Sequence, residues 1–432
     1  MGLINRAAKL AALPVTTGSK YAAAASRAAV TRTPGAQEAL TATQNAIVEK
    51  ITDTLADARG PAMKFGQTLA TVAVALPPEQ QQLLAPLAAL YEDADARDFK
   101  DIQPLTAPLA DVLTYIDPEP IAAASLGQVH RGTWTDGTPV AIKIQYPDAR
   151  RIVRADLLQL RATTPLIQRV LPGIDLKALL DEHADRLHDE LDYPKEAHNQ
   201  EQFRDAWTTH HPGVVTIPRV LHASPSLLVT EWLPGTPWST VHTLPDEDRL
   251  HAGRNLTRFV FWSPHLLGAT HADPHPGNYR LCPDGTVGVL DFGAVAQPAG
   301  VFTSLFADTF RLWEQERFDD LHWEWAEVGL IPVSTSVDTL RELLDLDLTP
   351  YQQDTFTFTP DWAGSHTETW MDPAEVWKRV TSVSLPPELL LEHRAVTGAI
   401  ALLVQAHATT DFRTVLDAVP PLPALPANPA RT

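Results

Sequence analysis

The sequence predicts an α+β protein of two lobes, a small one carrying strands and a larger helical one, preceded by a helical extension. Three observations carry this. Apolar residues recur at three- and four-residue steps over Gln37–Asp57 and Pro61–Leu76, the period of an amphipathic helix. From Ile121 the period changes, and Val129 to Trp134 and Val140 to Ile144 read as strands joined by Thr135-Asp136-Gly137-Thr138; Asp-Gly is a strong tight-hairpin signal. Beyond Pro234-Gly235-Thr236-Pro237 the helical period holds to about residue 416, broken by one hairpin near 279–290.

In chain order, residues 1–35 form a basic tail with Arg6, Lys9, Lys20, Arg27 and Arg32 and no acid. Leu3, Ile4, Ala7, Leu10 and Ala11 follow helical spacing. Such a segment reads either as a plain terminal helix or as a basic amphipathic one on an anionic membrane surface; its composition also resembles a targeting presequence. The helical extension covers 36–118: Gly60-Pro61 separates its first two helices, Pro77-Pro78 ends the second, and Glu79–Tyr91 makes a third. The small lobe covers 119–235. After its hairpin comes a helical stripe of Leu180, Ala184, Leu187 and Leu191, then strands at Val214–Leu221 and Leu227–Leu233. The helical large lobe covers 236–416. Residues 417–432, with Pro420, Pro421, Pro423, Pro426 and Pro429, read as an extended disordered tail.

Composition narrows the function classes. The 432 residues are 44% hydrophobic and 20% charged, ordinary for a globular chain of two or three domains. With 53 acidic against 34 basic residues the formal charge is -19, which argues against nucleic-acid binding, since that rests on phosphate neutralisation. Cys282 is the single cysteine. It supports neither an internal disulfide nor a zinc cluster and points to a reducing compartment. No apolar run approaches the ~18–20 residues that span a bilayer. The expected location is cytoplasmic, with any membrane contact peripheral at the inner face.

The chemistry concentrates in His271-Ala272-Asp273-Pro274-His275-Pro276-Gly277-Asn278, followed thirteen residues later by Asp291-Phe292-Gly293. An aspartate five residues before an asparagine, then a strand ending in Asp-Phe-Gly, is the spacing of a kinase catalytic loop and metal-binding turn. Asp273 is the candidate to orient, or take a proton from, the attacking hydroxyl or water. Asn278 and Asp291 offer oxygen ligands to Mg²⁺. A solvated Pro/Gly loop and a His271–Asp273–His275 metal site are the bland alternatives, the second disfavoured by Pro274 and Pro276. Upstream, Val140-Ala141-Ile142-Lys143 matches the kinase strand whose lysine contacts the α- and β-phosphates. The chain has nine lysines against 25 arginines, so a lysine on an apolar strand invites explanation. Its carboxylate partner is sought in Glu190-Leu191-Asp192-Tyr193-Pro194-Lys195-Glu196, where Pro194 would kink a helix. The loop entering the hairpin lacks the Gly-x-Gly-x-x-Gly pattern; it carries Ala122, Ala123, Ala124 and Ser125 instead, whose N–H groups and hydroxyl could face phosphate. Glu231 begins the hinge that would bind adenine through backbone groups.

These motifs together closely resemble the ABC1/UbiB (AarF, ADCK) atypical kinases. The resemblance rests on Lys64-Phe65-Gly66-Gln67, the alanine-rich Ala122–Gln128, Val140–Lys143, Glu190-x-Asp192 with Glu196 and Asn199, Asp273–Asn278 and Asp291–Gly293. It implies a protein-kinase-like two-lobed fold in which the helical extension carries Lys64 and Gln67 over the active site. It also implies that Glu190 and Asp192 sit nearby and that Glu196 partners Lys143. The implied cofactors are ATP or ADP with Mg²⁺, and the implied setting is isoprenoid-quinone or lipid metabolism at membranes, with a lipid or quinone precursor as ligand. A protein partner and a homodimer are both compatible with the chain. Two rivals are a soluble small-molecule kinase of the aminoglycoside/choline type and a nucleotide-sensing scaffold with little catalysis.

Overall fold

A computed structural model describes residues 96–123, 126–170, 176–344, 348–370 and 383–423, with a few isolated positions between 33 and 46. Apart from those isolated positions, the basic tail 1–35 and the three helices expected between 37 and 91 lie outside the described residues. The chain divides into two units, residues 1–193 with 222–229 and residues 194–221 with 230–432.

The first unit holds a five-stranded sheet in the order β1-β2-β3-β6-β5: β1 (Leu113–Ala123), β2 (Gly127–Trp134), β3 (Pro139–Gln145), β5 (Val220–Ser224) and β6 (Leu227–Glu231). The Asp-Gly hairpin forms as expected: Gly137 takes φ +87° and Asp136 accepts from the Thr138 N–H. In β3, Val140, Ile142 and Ile144 are fully buried while Ala141 and Lys143 point to the other face. That period-2 alternation made the strand legible. Strand β1 was not legible: its residues fall in the expected helical extension to 118 and in the expected loop after it. It is an edge strand with three register shifts against β2, and it exposes Tyr115 and Ile121, so no clean alternation marks it.

The same unit carries α1 (Ala149–Val170) and α2 (Leu176–Glu190), besides short helical turns at Phe99–Ile102 and Gln103–Leu109 before β1. The α2 stripe of Leu180, Ala184, Leu187 and Leu191 is at most 2% exposed. Pro194 does not kink a helix. The chain turns after Glu190, with the Asp192 N–H on the Asp189 carbonyl, and α3 (Tyr193–His210) starts afresh. Proline is well placed in a first turn, where its missing N–H has no partner to lose. Glu190 and Glu196 therefore stand on different helices.

Helix α3 belongs from Pro194 onward to the second unit, not to a small lobe running to residue 235. Its aromatic face explains this. Phe203 and Trp207 lie 6.0 and 5.7 Å from the ring of Phe259, and the Trp207 indole donates to Ser263. Phe259 and Ser263 sit on α4 (Asp246–Leu267), whose first turn carries Asp246, Glu247 and Asp248 at the positive end of the helix dipole. Against it pack α5 (Val301–Glu314), α9 (Leu390–Gln405) and α10 (Phe412–Asp417), while α6 (Phe318–Glu327) packs on α5, α7 (Val337–Leu344) on α6 and α8 (Pro360–Trp370) on α9. The core includes Trp238, Phe259, Phe292, Leu402 and Phe412, none more than 3% exposed. Each such side chain contributes about 1.5–3 kcal/mol on burial. A four-stranded sheet, β4-β10-β9-β7, joins β4 (Val215–Thr216), β7 (Thr236–Pro237), β9 (Tyr279–Leu281) and β10 (Val287–Val289).

The tail expected to be disordered from residue 417 is packed as far as Leu422. Val419 is 2% exposed, Ser304 donates to the Pro420 carbonyl, and the Leu422 N–H donates to Asp308. The prolines stop helix formation without stopping the remaining polar groups from finding partners on α5. Cys282 is free and buried, and burial raises its thiol pKa. Among the described residues no helix is long and apolar enough to cross a membrane.

Candidate active site

Two strands of two residues each organise the site in the second unit. Strand β8 (Thr270–His271) pairs antiparallel with β11 (Val295–Ala296), His271 opposite Val295 and Thr270 opposite Ala296. The loop 272–278 leaves β8; the turn 290–293 enters β11. Between them runs the β9–β10 hairpin, Tyr279 opposite Val289. Two further bonds cross from loop to turn, Ala272 N–H to Ala294 O and Leu290 N–H to Asn278 O. A local hairpin thus places Asn278 beside Asp291, as the spacing predicts.

Beneath them lies His271, 2% exposed. Its Nε2 meets the Asp291 carbonyl at 2.5 Å and its Nδ1 the Tyr279 hydroxyl at 3.0 Å. A carbonyl only accepts, so Nε2 carries the proton and Nδ1 accepts from tyrosine. Burial lowers the His271 pKa and keeps the ring neutral; the Asp291 carbonyl opposes this more weakly. Burial likewise raises the Tyr279 phenol. His271 is therefore a brace for the turn, not a metal ligand. Among the described residues no cluster of three His, Cys, Asp or Glu side chains is set to hold a metal.

The Asp291 carboxylate accepts from the Gly293 N–H at 2.9 Å. The Phe292 ring is fully buried, stacked edge-on to His271 at 5.3 Å and packed on Phe203 at 5.2 Å. Its carbonyl accepts from Asn199 of α3 at 3.1 Å. One turn earlier on the same helix, the buried Glu196 brings Oε2 to 3.9 Å from where a Gly293 Cβ would stand. Glu196 and Asn199 therefore both address the Asp-Phe-Gly turn.

Asp273 is held at both oxygens. The Asn278 amide donates to Oδ2 at 2.7 Å and Arg394, from α9, to Oδ1 at 2.9 Å. With its N–H₂ turned to Asp273, Asn278 keeps its amide oxygen for another partner. The donor set of Asn278 and Asp291 is all oxygen, which fits a hard cation such as Mg²⁺.

In the first unit, the Lys143 ammonium lies 5.1 Å from the ring centroid of Tyr193, a cation–π distance. Glu190 closes α2 half-buried, and Asp192 is exposed in the following turn. The intervening Leu191 carbonyl accepts from Gln145 and Arg150, which ties that turn to β3 and α1. Ala122 and Ala123 are not loop residues: they pair with Val129 and Gln128 at the end of β1. Ala124, Ser125, Lys64 and Gln67 lie outside the described residues. Glu231 is not a free hinge donor. Its N–H donates to the Arg219 carbonyl and its carboxylate pairs with the Arg219 guanidinium at 3.1 Å, so an adenine ring would need a donor further along the chain.

Gln128 belongs to the alanine-rich motif read from the sequence, whereas Arg394 escaped that reading. Gln128 joins the Arg97 backbone, His130 and Tyr146 through its amide. Arg394 was invisible because an arginine in a helical pattern looks like any solvated charge.

This arrangement, a loop carrying Asp273 and Asn278 clasped to an Asp-Phe-Gly turn, is that of a kinase-like protein. The ABC1 atypical kinase-like domain model matches residues 90–314. The chain is 33% identical over 252 residues to the protein Activity of bc1 complex kinase 3, chloroplastic, of Arabidopsis thaliana, covering 54% of this chain and 34% of that one. It is 31% identical over 258 residues to kinase 1 of that series, also chloroplastic, covering 56% and 36%. It thus spans about a third of the length of those plant relatives. Among solved structures, the complex of Rv3197 with erythromycin from Mycobacterium tuberculosis is similar, with TM-score 0.66, 30% identity, and coverage of 84% of this chain and 93% of that one. The chain belongs to the ABC1 atypical kinase-like family.

Proposed function

We propose that this protein is an ATP- and Mg²⁺-dependent phosphotransferase or ATPase. The observation that supports this most is the clasped pair of loops that sets Asp273, Asn278 and Asp291 side by side. When bound, Mg²⁺ would offset the negative charge of the phosphates; Asn278 and Asp291 would hold it. Lys143 positions the α- and β-phosphates, with Glu196 as the counter-charge the family resemblance assigns it. Asp273 accepts a hydrogen bond from the attacking hydroxyl or water and orients its lone pair. Lys64 and Gln67 gate the site, and Glu190 and Asp192 support the nucleotide. We place the activity in isoprenoid-quinone or lipid metabolism, at an anionic membrane surface reached through residues 1–35.

The test is phosphate release from Mg·ATP by the full chain and by Asp291→Asn, with and without anionic vesicles carrying a long-chain phenol. Turnover that rises with vesicles and falls at least about 100-fold in Asp291→Asn supports the reading. Nucleotide binding without turnover under every condition replaces it with the scaffold. Because the solved relative is a complex with erythromycin, the macrolide enters the same assay as an alternative ligand. Stimulation by erythromycin and not by the phenol would move the substrate class away from quinone precursors.

A further inference from the structure

We propose that Arg394 of α9 is the positioning residue of Asp273, fixing its carboxylate for the phosphate acceptor; the inference rests on the phosphoryl-transfer reading above. The terminal torsion of an aspartate is broad and roughly two-fold, so one donor leaves its orientation loosely set. Here two donors fix it from different elements, Asn278 at Oδ2 and Arg394 at Oδ1. A carboxylate has about four lone-pair sites, so two bonds lock the plane and leave room for a hydroxyl or water.

Helix α9 is held where an exact placement needs it. Two residues before Arg394, the 3%-exposed Glu392 accepts from the N–H groups of Gly300, Phe302 and Thr303 and from the Thr303 hydroxyl, at 2.9 to 3.2 Å. This carboxylate caps the head of α5, where negative charge is favoured. One turn after Arg394, on the same face, stands Gly398. A Cβ there would lie 2.1 Å from Cγ of Pro274, so the helix backbone rests directly on the loop that carries Asp273. Arg394 thus reaches its partner from a support fixed on both sides. It also lies beyond residue 314, where the match to the family domain ends.

The pair is not there for stability. The two side chains are 42% and 33% exposed, and ion pairs in such surroundings contribute roughly 0–1 kcal/mol. A contact that stabilises little yet occupies the acceptor-facing carboxylate acts on the reaction.

The experiment compares phosphate release by wild type, Arg394→Met, Arg394→Lys, Asp273→Asn and the double variant Arg394→Met/Asp273→Asn. Mg²⁺-dependent binding of a fluorescent ADP and thermal unfolding are measured alongside. Arg394→Met is expected to lower kcat about 10- to 100-fold, the cost of a misplaced reacting group. Nucleotide affinity should stay within about two-fold and Tm within about 2 °C. Added to Asp273→Asn it should lower kcat no further, because residues that act as a unit are not additive. Arg394→Lys should recover part of the loss, since it restores charge without the planar fork; if Arg394→Met does not fold, this variant carries the comparison. Unchanged kcat in Arg394→Met, a full further loss on Asp273→Asn, or nucleotide affinity falling in step with kcat would each overturn the assignment. Wild type that binds nucleotide but never turns over sinks the phosphoryl-transfer reading and this inference with it. Wild-type turnover with an intact Arg394→Met sinks this inference alone.

Discussion

Glu324 on α6 shows how far a single side chain departs from its ordinary behaviour. Burial, and then the neighbouring Asp308 and Asp320, push its carboxyl from 4.5 up to about 7, against the weaker pull of Arg317 and Arg311. Between those two values the folded chain keeps a proton that the unfolded chain releases. Its contribution to stability is therefore complete below pH 4.5 and is lost as pH rises through 7. Glu324→Gln removes that dependence. Relative to wild type the variant should gain on the order of 1–3 kcal/mol between pH 5 and pH 8, read from thermal unfolding across that range; parallel curves for the two proteins would contradict the assignment. Residues also differ in how readable they are. Asp273, Asn278 and Asp291 could be found because nineteen residues of local chain, 273–291, hold all three. Arg394 could not, because its partner is 121 positions away and nothing in its neighbourhood distinguishes it from a surface charge.

At the level of elements, what decided legibility was whether a segment's burial follows its own period. The α2 stripe and strand β3 do, so sequence spacing located both. Strand β1, exposed on both faces and shifted in register, does not. The break between α2 and α3 was visible as Pro194 but was read as a kink, because a proline inside a helix and a proline opening one look alike until the preceding turn is seen. Helix α9 depends on a missing side chain. Gly398→Val would drive a Cβ into Pro274; overpacking of this kind costs about 1–3 kcal/mol. Both Tm and phosphate release should fall together, in contrast to Arg394→Met, which should spare Tm. A Gly398→Val protein with wild-type Tm and turnover would show that the helix does not brace the loop.

For the whole molecule, the acidic composition and the single cysteine bounded the answer, and the ordered motifs supplied the family. Long-range docking was not legible. The Pro-rich end offered no period, yet Val419 enters the main core and the Arg311 guanidinium reaches the Leu416 and Val419 carbonyls. Truncation after Asp417 removes a buried valine and the Leu422 bond to Asp308, and should cost about 2–3 kcal/mol, seen as a Tm lower by a few degrees; an unchanged Tm would mean the segment rides on the surface without contributing.

The β8–β11 pairing carries a consequence for how the site fails. One ladder of two residue pairs anchors the departing end of the Asp273 loop and the arriving end of the Asp291 turn, and His271 bonds the turn from inside β8. Neither loop can leave alone without breaking the other's anchor. The loop and the turn are therefore held as one piece.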